Sequence, residues 1–128
     1  MLSLPHALRF LLATDPDALT RVLGVVYRTI WRYLIYKAGL TRVSGATGAV
    51  TLVQRFGSAL NLNVHFHMLF LDGVYLTNGA DPPVFRPVTA PGANELQELV
   101  EQIASRGDEL GAASEARVRH RDRSLRPL

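Results

Sequence analysis

The sequence predicts an α+β fold in which a long amphipathic helix, a run of short strands and a closing helix follow one another. Three observations carry this expectation. Apolar residues recur at three- and four-residue spacing over 16–38, strand-like alternation follows over 49–56 and 63–71, and a second helical period begins near Asn94. At 128 residues the chain is one domain with a core of ordinary size, and 48% hydrophobic with 20% charged residues is a globular composition.

Leu2 to Leu4 reads as a strand stub ended by Pro5, with a short apolar helix through about Ala13. Asp15-Pro16 places an N-cap before proline at the first helical position. Leu19, Val22, Leu23, Val26, Ile30, Tyr33 and Leu34 form the apolar stripe of the helix that follows, and Gly39 is placed to end it. Arg21, Arg28 and Arg32 fall on its polar side; a solvated charged face is the ordinary explanation, and a stripe tracking a DNA backbone the sharper one. Ser44 to Gly48 is a turn and Ala49 to Phe56 a strand, with Gly57 to Leu62 connecting to the strand 63–71. Asp72-Gly73 turns into a short strand, Val74 to Leu76, and Val84 to Arg86 forms an edge strand within a proline-rich stretch. Asn94, with Gln97 three residues on, caps the last helix, whose buried stripe is Leu96, Leu99, Val100 and Ile103. Residues 107–128 lose the apolar period and end in an Arg-rich alternation, so a disordered tail is expected there. A nucleic-acid-binding tail and a lost reading frame are the alternatives.

The net charge of +3 conceals a strong segregation: residues 1–56 carry +5, residues 57–116 carry −6 and the last twelve carry +4. A basic first half suits phosphate contacts, although charge alone supports nucleic acid only weakly. The absence of cysteine excludes disulfides and thiolate zinc sites within the chain. No apolar run approaches the roughly 20 residues of a bilayer span, and the start lacks the features of a signal peptide, so a cytoplasmic protein without a membrane partner is expected.

His65-Phe66-His67 is the most informative motif. Residues two apart on a strand share a face, so both imidazoles project together while Val64, Phe66, Met68 and Phe70 point into a core. Two neutral imidazoles on a rigid strand are half of a metal site; a pair of strand histidines with no ligand is the plain alternative. The preceding block, Val-Thr-Leu-Val-Gln-Arg-Phe-Gly-Ser-Ala-Leu-Asn-Leu-Asn at 50–63, leads straight into the pair. Together with Leu-Asp-Gly-Val-Tyr at 71–75 and Leu-Pro-His-Ala-Leu-Arg-Phe-Leu-Leu-Ala at 4–13, it resembles the transposases of the insertion sequence ninety-one family. These are two-tyrosine, rolling-circle transposases of the HUH endonuclease superfamily, and the resemblance runs from residue 2 to about residue 105.

The resemblance implies an antiparallel sheet with flanking helices, incomplete at both ends, with residues 1–106 the N-terminal part of a nuclease domain. It also implies that two histidines and a third polar ligand hold Mg²⁺ or Mn²⁺, which polarises the scissile phosphate of single-stranded DNA at the ends of the element. A tyrosine would then attack, leaving a 5′-phosphotyrosine. His65 and His67 take the ligand roles position by position. Gln54 is the favoured third ligand, with Asn61, Asn63 and Asp72 the other candidates, and Arg55 could contact the DNA phosphate. Tyr27, Tyr33, Tyr36 and Tyr75 do not match the family's nucleophile positions, so no tyrosine here takes that role. The chain is therefore expected to be a truncated transposase, with a full-length transposase in trans as a candidate partner. Three alternatives stand beside it: a metal- and single-stranded-DNA-binding remnant that does not cut, an unrelated His-x-His hydrolase, and a polypeptide that does not fold alone.

Overall fold

The computed structural model describes Arg9 and residues 12–56, 62–77, 79 and 82–124. The expected strand stub at Leu2 to Leu4 and most of the connector at Gly57 to Leu62 lie outside these residues. The fold is α+β, as predicted, with antiparallel strands and flanking helices.

Helix α1 spans Pro16–Lys37. The Asp15 carboxylate accepts hydrogen bonds from the backbone N–H groups of Asp17 (2.9 Å) and Ala18 (3.1 Å), satisfying donors that the first turn cannot pair internally. At the other end Gly39 adopts φ 72°, where a side chain would be strained. Its N–H bonds the carbonyl of Tyr36 and that of Leu40 bonds Ile35, a Schellman closure.

The strands are β1 (Gly45–Ala46), β2 (Ala49–Phe56), β3 (Leu62–Phe70), β4 (Gly73–Leu76) and β5 (Val84–Pro87). β2 pairs with β3, while β4 lies between β1 and β5, all antiparallel. The two groups are halves of one long ribbon. Between them Leu71 N–H donates to the carbonyl of Gly48 at 3.1 Å, and the Thr47 hydroxyl donates to the carbonyl of Gly73 at 2.8 Å. The expected turn at Ser44 to Gly48 is thus partly strand. Asp72-Gly73 does not fold β4 back on β3; it continues the ribbon through a kink. Gly73 is required there, because a Cβ would sit 2.4 Å from the carbonyl oxygen of Arg86 and 2.5 Å from the ring of Phe85.

Val64 and Phe66 are buried against Leu12, Ala18 and Leu19, and Val74 against Leu34 and Ile35, so α1 lies along one face of the ribbon. Burying each such side chain contributes about 1.5–3 kcal/mol, which fixes which face of β3 is turned inward.

Helix α2 spans Ala93–Ser124. It begins earlier than the expected cap at Asn94: Gly92 N–H donates to the Glu95 carboxylate at 2.8 Å, with Glu95 at the third helical position. Of the expected stripe only Leu99 is fully buried, with Leu96 and Val100 about half exposed. The helix also continues past Arg106, where a disordered tail was expected. The apolar period stops there, but Ala, Glu and Arg are strong helix formers, and their propensity favours the continuation.

Candidate metal centre

Cross-strand register decides what the histidine face carries. Gln54 lies opposite His65 and Leu52 opposite His67, so both histidines, Gln54 and Leu52 share the face turned away from α1. The Gln54 amide is aimed. Its Nε2 donates to the carbonyl of Phe56 at 3.0 Å, which leaves Oε1 directed at His67 Nε2, 3.1 Å away. Oε1 can only accept, so His67 carries its proton on Nε2 in this pairing. His65 Nδ1 is buried and has no hydrogen-bond partner. A buried, unpartnered imidazole nitrogen beside an aimed carboxamide suits a cation that the side chains do not supply themselves.

The pair distance also fits. Octahedral Mg²⁺ with bonds of about 2.1 Å places neighbouring ligands about 3.0 Å apart, and the Gln54 Oε1 to His67 Nε2 separation is 3.1 Å. Next to the centre the register shifts between Gln54 and Phe56, with an extra residue on the β3 side, a bulge of the kind that re-aims side chains. Among the described residues no three His, Cys, Asp or Glu side chains cluster as metal ligands, and the candidate donors at this face are two imidazoles and one amide, without charge.

The other candidates are placed apart. Asn63 Oδ1 accepts from Arg9 Nη1 at 3.1 Å, a contact across 54 positions that no local pattern announces. Asp72 lies beyond the end of β3, five residues after His67, roughly 16 Å of extended chain. Asn61 lies outside the described residues. Arg55 is exposed and by alternation faces away from Gln54. Arg28 folds back over Gly24, its Nη1 2.8 Å from where a Cβ would stand there. Arg32 lines a cleft between α1 and α2 that does not include the histidines. An apolar groove of about 620 Å³ between α1, α2 and the ribbon reaches His67.

Each tyrosine is engaged or placed elsewhere. Tyr27 stacks on Phe70 at 5.8 Å, on the sheet face opposite the histidines, and Tyr75 packs against Phe85. Tyr33 meets Lys37, which also binds both Glu95 oxygens at 2.7 and 2.8 Å and ties α1 to the start of α2. The Glu95 hydrogen bonds hold the Lys37 pKa above its ordinary value, and Lys37, with the Gly92 N–H, holds that of Glu95 below. Among the described residues no helix is long and apolar enough to cross a membrane.

Antiparallel strands with flanking helices define an α+β protein, and a family comparison gives the particular assignment. Residues 48–126, well over half of the chain, match the family model described as "Putative transposase". The chain belongs to this transposase family. The match continues to residue 126, past the point near residue 105 where the resemblance read from the sequence ends. No curated protein and no solved structure matches the chain.

Proposed function

We propose that Gln54, His65 and His67 hold Mg²⁺ or Mn²⁺ together with a phosphate of single-stranded DNA, as part of a two-tyrosine transposase of the HUH type. The observation that carries this reading is the aimed Gln54 Oε1, 3.1 Å from His67 Nε2, beside the buried unpartnered Nδ1 of His65. When bound, the metal would polarise the phosphate for attack by a tyrosine and help to orient it. The chain's own part is to present three neutral donors on a rigid ribbon; for Nε2 of His67 to serve as a ligand, its ring proton would move to Nδ1, leaving the imidazole neutral. A neutral set binds a dipositive ion weakly by itself, which suits a site completed by the charge of the DNA.

A second reading is a metal- and DNA-binding protein that does not cut unless a tyrosine is supplied in trans. It is favoured by the placement of Tyr27, Tyr33 and Tyr75 in packing contacts away from the histidine face. The deciding experiment is a Mn²⁺ titration by electron paramagnetic resonance, wild type beside His65→Ala/His67→Ala, with matching circular dichroism. Saturable binding lost in the variant is expected; equal, weak binding in both would remove the site. Adding a labelled single strand, with and without full-length transposase, separates cutting from binding.

A further inference from the structure

A second cleft, of about 610 Å³, runs between the C-terminal half of α1 and α2. It shares only Leu99 with the groove that reaches His67. Its basic groups are Arg32, Lys37, Arg42 and Arg106, and its acidic groups Glu95 and Glu98. Lys37 and Glu95 neutralise one another. Arg106 donates to Thr29 Oγ1 at 3.3 Å and also lines an adjoining cleft with Glu98, Glu101 and Glu109, so its charge is offset by that acidic neighbourhood. Arg32 and Arg42 form no ion pair among the described residues, although Glu98 lines the same cleft. Two guanidinium groups, Arg32 and Arg42, therefore remain for a ligand at the α1 side of the cleft. Tyr36, one helical turn after Arg32, is 59% exposed on the same cleft.

We infer that this cleft binds single-stranded DNA without metal, Arg32 and Arg42 meeting backbone phosphates and one base stacking on Tyr36. Guanidinium groups lacking acidic partners supply the charge-driven part of such binding. An exposed ring beside them supplies the part that requires an unpaired base. The choice of DNA as the polyanion rests on membership of the transposase family, but the inference does not require the metal centre.

The test is fluorescence anisotropy of a labelled thymidine oligonucleotide in EDTA, over a range of salt concentrations. His65→Ala/His67→Ala should bind as wild type. Arg32→Glu/Arg42→Glu should lose at least about tenfold in affinity and flatten the salt slope by about 1.4, two single-strand contacts. Tyr36→Ala should lose about tenfold, within the range for one stacked base, while Tyr36→Phe keeps the ring and the affinity. Circular dichroism checks each fold, and Arg42→Gln replaces the charge reversal should that variant unfold. Unchanged binding in the arginine variants would overturn the inference. So would binding in EDTA that disappears in the histidine variant, which would place the contact at the metal centre. A loss with the arginines but none with Tyr36→Ala would overturn the single-strand assignment.

Discussion

Gln54→Ala tests whether the carboxamide is a ligand or merely a neighbour of His67. In the folded chain the Gln54 side chain is exposed and makes a local hydrogen bond to the Phe56 carbonyl at 3.0 Å. Losing that bond costs about 0.5–1.5 kcal/mol at most, and the exposed position places the effect at the low end. Metal affinity should respond far more. Losing even an outer-shell partner of a metal site typically costs 10–100-fold, so losing one of three protein donors should weaken Mn²⁺ binding by at least about tenfold, or about 1.4 kcal/mol. Urea unfolding and paramagnetic resonance titration on the same preparations separate the two quantities. Gln54→Glu, which keeps the oxygen and adds charge, should restore or tighten binding. Unchanged affinity in Gln54→Ala, with binding still lost in His65→Ala/His67→Ala, would refute the assignment and move the third ligand elsewhere, Asn61 first.

Two further outcomes concern the scaffold. Gly73→Ala should destabilise the fold by about 1–3 kcal/mol, because its Cβ would enter the Arg86 carbonyl across β4 and β5; an unchanged urea midpoint would contradict that packing. The Lys37–Glu95 tie should contribute above the ordinary Glu95 value of 4.5, being lost as pH falls through its lowered pKa, and below the ordinary Lys37 value of 10.5, being lost as pH rises through its raised one. The stability difference between wild type and Glu95→Gln should therefore close at both pH extremes, and a constant difference would show that the tie is not ionic.

What the sequence made legible was local or periodic. Asp15-Pro16 and Gly39 mark the ends of α1 because capping chemistry is read within four residues. The inward face of β3 follows from strand alternation, with Val64 and Phe66 buried as that pattern requires. What was not legible depends on distant partners. The ribbon joining β1–β2 to β3–β4 is made by Thr47 and Gly48, in a stretch that reads as a turn, with Leu71 at the end of an expected strand and Gly73 in an expected turn. Arg106 meets Thr29 across 77 positions, and Lys37 meets Glu95 across 58; neither pair has a spacing rule. The extension of α2 is illegible for another reason: past Arg106 the chain has no apolar period, few large hydrophobes and an Arg-rich alternation, a pattern that a solvated helix shares with a disordered tail.

The two sites together predict an order of events. The proposed metal centre has no charged donor, so bare Mn²⁺ should bind weakly, and a DNA phosphate should raise that affinity by completing the coordination. Linkage then requires that Mn²⁺ raise DNA affinity by the same factor. The α1–α2 cleft can take the strand first, since its arginines need no metal, and a strand held there reaches the centre at high effective concentration. Arg32→Glu/Arg42→Glu should therefore weaken DNA binding both with and without Mn²⁺, whereas His65→Ala/His67→Ala should abolish only the increment that Mn²⁺ adds. Anisotropy titrations of both variants at zero and saturating Mn²⁺ measure the four affinities. If Mn²⁺ leaves wild-type DNA affinity unchanged, the metal and the strand do not share a site, and the proposed phosphate coordination at Gln54, His65 and His67 fails even if each binds separately.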